Sequence, residues 1–144
     1  MKTQNYANHA RYVLGFHGVL FVLLLATLGG SIVNLVKSWC DHTRIYSASL
    51  ILALAVAVFI VSFFARIFAL KAQDRAIRAE ENLRHFVLTG KLLDPRLTVR
   101  QIIGLRFAPD EEFLALALRA AEESLSETDI KKAVKNWKAD TYRV

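Results

Sequence analysis

The residues best suited to chemistry lie near the start of the chain, where residues 4–17 read QNYANHARYVLGFH. Histidine can ligate metals and haem, and it exchanges protons near neutral pH. His9 and His17 are eight residues apart, or about 12 Å along a helix, so they cannot share one metal ion. A haem held between two helices would need a histidine in the other apolar segment, and residues 45–65 contain none. We therefore predict no cofactor and no metal site within this chain.

No catalytic motif accompanies these histidines. The sequence lacks the GxSxG, HExxH and P-loop patterns. The acidic residues 110–112 follow Pro109 and fit the first turn of a helix, where negative charge is favourable. Cys40 is the only cysteine, which excludes a disulfide within the chain. We predict that the protein is not an enzyme.

Two long apolar segments must position these residues. Residues 12–36 and 45–65 carry no Asp, Glu, Lys or Arg, and each exceeds the roughly 20 residues that cross a bilayer as a helix. A cleaved signal peptide is the competing interpretation of the first segment. Its apolar part would be about twice the usual length, and the segment that follows is itself long enough to span. We predict two transmembrane helices.

Basic residues predict the orientation of these helices. Seven of them flank one side of the apolar segments, whereas the loop at 37–44 offers two. The seven are Lys2, Arg11, Arg66, Lys71, Arg75, Arg78 and Arg84. Because basic residues favour the cytoplasmic side, we predict that both termini lie in the cytoplasm. The same residues would contact anionic lipid headgroups.

His17 lies close to Arg11 and so near the membrane surface rather than at its midplane. Tyr6, Tyr12 and Phe16 fit the aromatic belt of a membrane boundary. Two interpretations fit these residues: the hydrated end of a helix at the membrane surface, or part of a reaction centre beside a quinone. We favour the helix end, and the sequence does not decide whether a lipid or quinone binds near His17.

Small residues recur every four positions in both apolar segments. They are Ala26, Gly30 and Asn34 in the first, and Ser49, Ala53 and Ala57 in the second. Such stripes let helix backbones approach closely within a membrane. They would seal the two helices against each other, or one stripe would dock another subunit.

The composition predicts an all-α fold: a transmembrane hairpin whose second helix extends into a cytoplasmic stalk, followed by a small helical domain. The boundaries are an N-terminal segment at 1–11, spans at 12–36 and 45–65, a periplasmic loop at 37–44, a stalk at 66–88 and a domain at 89–144. The stalk carries a heptad-like stripe of Ile67, Leu70, Ile77 and Arg84, with Phe86 and Val87 near its end, and Gly90 would end its helix.

Three short helices are expected in the domain. Thr98 and Gln101 form a capping box, Pro109 starts the second helix, and Ser126 caps a third that runs to about Lys138. Because so few residues form only a small core, the domain should lean on the stalk, on a partner or on a second copy of itself. Phe107 and Trp137 are its expected anchors, to its own core or alternatively to a partner. Lysines 131, 132, 135 and 138 would make the last helix basic, but a net charge of +3 from Arg66 onward argues against nucleic-acid binding.

Three stretches resemble a known family. They are QNYANHARYV at the start, residues 105–112 (LRFAPDEE), and the ending at 130–144. The chain is similar there to an uncharacterised family of short, two-span bacterial inner-membrane proteins, a domain of unknown function. The resemblance implies the topology and a bacterial inner membrane. It implies no activity, ligand or catalytic residue.

The first hypothesis for function is a non-catalytic accessory or assembly subunit of a larger inner-membrane complex, with a respiratory complex as one candidate. It would bind integral membrane subunits or copies of itself through Asn5, Tyr6, Asn8, His9, Arg11, His17, Gly30, Asn34 and Trp137. The alternative is a self-associating membrane adaptor or sensor that recruits a soluble partner through the helical domain. A small channel is a third hypothesis, weakened by the uncharged spans.

Overall fold

The computed structural model describes residues 4–9 and 12–140. Within those residues it contains five α-helices and no strand, which confirms the all-α class. The chain divides into two compact units, each described here by itself. The hairpin unit comprises residues 12–68, and the helical unit combines residues 4–9 with residues 69–140.

The hairpin unit begins with a π-helical turn, Gly15–Leu20, which continues into α1, Phe21–Lys37. The chain then turns, and α2 starts at Ile45. In the turn, the Asp41 carboxylate accepts hydrogen bonds from the hydroxyl (2.6 Å) and the backbone N–H (2.9 Å) of Thr43. Both hydrogen bonds lower the pKa of Asp41, and the bond from the Thr43 hydroxyl has the larger effect.

Two helices of the described chain are long and apolar enough to cross a membrane. They are Gly15–Lys37 and Ile45–Thr89, with 23 and 45 residues. This finding rests on length and composition. The second helix is longer than a bilayer is thick, so only its apolar first half is a candidate span.

The buried positions of the hairpin unit are not those of the predicted small-residue stripes. Ser31, Ala48 and Ala55 are 4%, 1% and 8% exposed. The Ser31 hydroxyl is satisfied by the Leu28 carbonyl at 2.8 Å. All six predicted stripe residues are exposed instead: Ala26, Gly30, Asn34, Ser49, Ala53 and Ala57. The prediction that the stripes seal the hairpin is therefore wrong, because larger residues at 24, 28, 35, 52 and 59 share the covered faces with Ser31, Ala48 and Ala55.

α2, Ile45–Thr89, is one unbroken helix of 45 residues, about 68 Å long at 1.5 Å per residue. This confirms that the second apolar segment continues into a stalk. The helix ends as predicted at Gly90, which adopts a left-handed φ of 72°. The Gly90 N–H donates to the Phe86 carbonyl at 2.7 Å, and a side chain at this position would be strained.

Three short helices form the core of the helical unit: α3, Val99–Leu105; α4, Asp110–Glu122; and α5, Glu127–Ala133. Its largest fully buried side chains are Leu105, Phe107, Phe113 and Ile130. Gly104 lets α3 approach α5 closely. A Cβ at this position would lie 3.1 Å from Ile130 Cγ2 and 3.2 Å from the Glu127 carbonyl oxygen.

The predicted caps are confirmed. Thr98 and Gln101 form a capping box, and the Ser126 hydroxyl accepts the Asp129 N–H at 3.1 Å. Pro109 precedes α4 and its acidic first turn. Gln101 has a second role, because its side-chain nitrogen donates to the carbonyls of Ala120 (3.1 Å) and Leu125 (3.0 Å) and so satisfies the end of α4.

The last helix is shorter than predicted. α5 ends at Ala133 rather than near Lys138, and Val134 is extended. The Glu112 carboxylate accepts the N–H groups of Lys135 (2.9 Å) and Asn136 (3.0 Å), which removes them from a helical ladder. The predicted face of four lysines on one helix is therefore wrong.

The helical unit packs on its own part of α2. Ile77 and Glu81 are each 6% exposed there. Arg84 donates to Glu81 Oε2 (3.0 Å), Asp110 Oδ1 (2.7 Å) and the Ala108 carbonyl (2.8 Å). Its guanidinium carbon lies 4.3 Å from the Phe113 ring centre. The predicted dependence of the domain on the stalk is confirmed at Ile77 and Arg84.

Candidate functional site

The N-terminal segment, residues 4–9, packs on the helical unit. Asn5 and Asn8 fold it into a turn, because Asn5 Oδ1 accepts the Ala7 N–H at 2.9 Å and Asn8 Oδ1 accepts the Asn5 N–H at 2.6 Å. Gln4 then pairs with the other end of the chain at Asp140. Both asparagines thus have a structural role within the chain.

His9 lies in an aromatic cluster with Tyr6, Phe107 and Trp137. Its ring centre is 5.6 Å from that of Tyr6, 6.0 Å from that of Phe107 and 5.8 Å from that of Trp137. The His9 Nδ1–H donates to the Tyr6 carbonyl at 2.6 Å. Its Nε2 lies 3.4 Å from the Lys131 ammonium, which can donate to it.

This cluster confirms the prediction that Phe107 and Trp137 anchor the domain core. Phe107 is fully buried, and its ring centre lies 4.7 Å from that of Trp137. Lys131 also bonds Glu127 Oε1 at 2.6 Å, and its side chain is 12% exposed. An ammonium engaged in this way is poorly placed to bind a nucleic acid.

A second feature is a cavity of about 440 Å³ in the hairpin unit. It is lined by Tyr12, Phe16, His17, Leu20, Phe21, Leu24, Ser62, Phe63 and Arg66. Three of these residues come from the π-helical turn, and such turns are rare and are often found at functional sites. His17 closes the first turn, since its Nδ1 lies 3.2 Å from both the N and the O of Val13. The backbone of this turn therefore engages one ring nitrogen of His17.

The charge in this cavity comes from Arg66. Its guanidinium carbon lies 5.7 Å from the Phe16 ring centre, and none of the lining residues is acidic. In the described part of the chain, no group of three His, Cys, Asp or Glu residues could hold a metal ion. The cavity suits an apolar molecule with an anionic group.

A third feature is an apolar face of α2 that the helical unit leaves uncovered. We call it the α2 seam and define it by its spacing, which alternates between three and four residues. Its members are the half-buried Ala69 and the exposed Ala72, Ala76, Ala79, Leu83 and Phe86. Leu83 is 63% exposed and Phe86 49% exposed. This spacing is that of the a and d positions of a coiled coil.

Two opposite charges flank the α2 seam. With Ala76 at an a position and Ala79 at a d position, Arg75 falls at g and Glu80 at e. Both side chains are exposed. In a parallel coiled coil, a g residue faces the e residue five positions later in the other chain. Arg75 would therefore face Glu80 of a second copy.

The structure does not gather the predicted site residues into one place. Asn5, Tyr6, Asn8, His9 and Trp137 belong to the helical unit, and His17 lines the cavity of the hairpin unit. Gly30 and Asn34 are exposed on α1. Arg11 lies outside the described residues. Their predicted contacts with partner proteins stay predictions.

Of the α2 seam, only Phe86 belongs to the apolar edge predicted from sequence, although the signal for the other members was present. The heptad pattern was assigned to Ile77 and Arg84, which instead face the helical unit. Alanines at alternating intervals of three and four residues carried the better signal. The sequence pointed to the cavity only through the open question of a lipid or quinone near His17, because the rest of the lining comes from segments far apart along the chain.

A family model matches the whole chain, residues 1–144, and is described as a family of unknown function (DUF6526). Neither a search of curated proteins nor a search of solved structures returned a match.

Proposed function

The chain belongs to the DUF6526 family, and from its geometry we propose that it is a self-associating membrane adaptor. The hairpin unit anchors it in a bacterial inner membrane with both termini in the cytoplasm. The α2 helices of two copies pair through the α2 seam. The helical units, held on the opposite side of α2, then present two identical surfaces to a soluble partner.

The α2 seam is the observation that carries this proposal. Beyond its apolar half α2 is rich in charge, so the exposed Leu83 and Phe86 are not explained by lipid contact. Exposed apolar surface that forms a continuous stripe marks an interaction site. Alanines allow the two backbones to approach closely, and Leu83 and Phe86 supply most of the apolar area.

The direction of pairing follows from the membrane. Two copies inserted with the same topology have parallel α2 helices, and only the parallel register pairs Arg75 with Glu80 of the other copy. A two-fold axis along the membrane normal therefore forms this ion pair twice. The charges and the anchoring favour the same arrangement.

Cysteine cross-linking tests this proposal. In a Cys40→Ser background, Ala79→Cys places a thiol at a d position, where two copies bring the Cβ atoms close enough for a disulfide. We expect rapid cross-linking of Ala79→Cys in membranes. The control is Arg78→Cys, one residue away and exposed, but directed off the seam. Equal cross-linking of the two variants, or none in either, would refute pairing through the α2 seam.

A second candidate is an accessory subunit of a larger inner-membrane complex, favoured by the exposed stripe of Ala26, Gly30 and Asn34 on α1. Small residues that the hairpin leaves uncovered are available to a helix of another protein. Gentle solubilisation followed by native mass measurement separates the two candidates. A discrete homo-oligomer supports the adaptor, whereas constant stoichiometry with large membrane subunits supports the accessory role.

A further inference from the structure

The cavity of the hairpin unit has the composition of a site for an amphiphilic ligand. Its volume of about 440 Å³ lies within the range of small-molecule sites in proteins. Aliphatic and aromatic side chains form most of its wall, and its polar groups are few: Arg66, Ser62, His17 and the Tyr12 hydroxyl. A molecule that fits both parts has an apolar chain and a polar head.

The polar head that suits this site is anionic. An arginine side chain keeps its charge under all ordinary conditions, and none of the described residues that line the cavity is acidic and able to neutralise Arg66. Its contact with the Phe16 ring at 5.7 Å holds the guanidinium without cancelling its charge. Arginine binds phosphate through paired, charge-assisted hydrogen bonds.

Arg66 is also placed at the right depth. It is the first charged residue after the uncharged stretch 45–65. In a membrane-inserted hairpin, a step that rests on the proposed location, its guanidinium lies at the level of the headgroups and the rest of the cavity lies beside the acyl chains. Basic pockets between helices at the cytoplasmic surface are suited to anionic lipid headgroups.

We propose that this cavity is a specific binding site for an anionic phospholipid. The lipid phosphate binds Arg66, and one acyl chain lies against Leu20, Leu24 and Phe63. The π-helical turn contributes by placing Phe16, His17 and Leu20 together on the cavity wall. The site is separate from the α2 seam and needs no second copy.

Native mass spectrometry of the full chain in detergent tests this proposal, with phosphatidylglycerol and phosphatidylcholine of identical acyl chains as probes. We expect the wild type to retain phosphatidylglycerol preferentially. Arg66→Gln should weaken that binding by about ten-fold or more, because a hydrogen bond to a charged group is lost. Lys91→Gln, which removes an exposed basic residue of the helical unit that is not among the seven membrane-flanking ones, is the control and should bind as the wild type does.

A second variant tests the apolar part. Leu24→Trp fills the cavity and should lower retention of both lipids, with helical content checked by circular dichroism. Equal retention of the two lipids by the wild type, or unchanged binding in Arg66→Gln, would overturn the proposal. Displacement of the lipid by added ubiquinone would assign the cavity to a neutral amphiphile instead. Recovery of the protein in the soluble fraction without detergent would overturn the membrane location, and this site with it, before any lipid is added.

Discussion

Gln4 and Asp140, 136 positions apart, exchange two hydrogen bonds. The Asp140 N–H donates to Gln4 Oε1 at 2.7 Å, and Gln4 Nε2 donates to the Asp140 carbonyl at 3.4 Å. Asp140 also forms an ion pair with Arg106, with its Oδ2 3.3 Å from Arg106 Nε. The segment that precedes α1 is thus tied to the extended tail that follows α5, and the two ends of the chain complete one folded unit.

Trp137→Ala tests this closure. Trp137 packs on Phe107 and His9, so its truncation should destabilise the helical unit by about 1–3 kcal/mol, below the 3–5 kcal/mol of a fully buried tryptophan. We expect faster hydrogen exchange in residues 4–9 as well as in the tail. The control is Trp39→Ala, since Trp39 is 69% exposed in the turn of the hairpin unit. Unchanged exchange in residues 4–9 would show that the segment is held independently of Trp137.

Gly104→Ala should destabilise the helical unit although alanine favours helix. The added Cβ meets Ile130 and the Glu127 carbonyl at 3.1–3.2 Å, and overpacking of this kind costs typically about 1–3 kcal/mol. Thermal unfolding followed by circular dichroism measures the loss. Gly29→Ala is the matched control, because nothing lies within 4 Å of its Cβ, and it should be neutral or slightly stabilising. A neutral Gly104→Ala would mean that α3 and α5 separate easily.

Glu112 should make the docking of the tail depend on pH. The pKa of Glu112 lies below its ordinary value of 4.5. The main cause is the hydrogen bond from the Lys135 N–H, and the hydrogen bond from the Asn136 N–H adds to it. Because the folded pKa lies below the unfolded one, this stabilisation is fully present above about pH 4.5 and is lost as pH falls through the lowered value. Trp137 fluorescence in a Trp39→Phe background, titrated from pH 7 to pH 3, follows the change.

Glu112→Gln is the control for that titration. It keeps the size of the side chain but removes the charge, so the tail should be looser at pH 7 and its fluorescence should change less with acid. An identical acid transition in both proteins would assign the transition to another carboxylate.

Charge reversal tests the register of the proposed α2 pair. Arg75→Glu and Glu80→Arg each place like charges opposite each other and should weaken the dimer, while the double variant restores the pair with its sign exchanged. Exposed ion pairs are worth about 0.2–1 kcal/mol each, so two of them change the dimer dissociation constant by a few-fold to about thirty-fold. Sedimentation equilibrium in detergent measures it. Additive weakening in the double variant would exclude a parallel pairing of these residues.

The sequence by itself determined the helices and most of their ends, with the C-terminal end of α5 as the exception. The signals for them are local, because helix formation and capping depend on residues within a few positions of one another. They comprise the long uncharged stretches, the absence of Gly and Pro between residues 45 and 89, the stop at Gly90, and the caps at Thr98, Pro109 and Ser126. Phe107 and Trp137 were also expected as anchors, but Trp137 reaches Phe107 from the tail that follows α5 and not from a helix.

Only the tertiary structure decided what each helix faces. It turned the small-residue stripes outward, directed Ile77 and Arg84 toward the helical unit and left Leu83 and Phe86 uncovered. It also ended α5 at Ala133, where a carboxylate from α4 captures the N–H groups of the tail. No pattern in the sequence predicts the contact between Gln4 and Asp140. Contacts between distant segments are selected by the packing of the whole unit, and no local pattern encodes that choice.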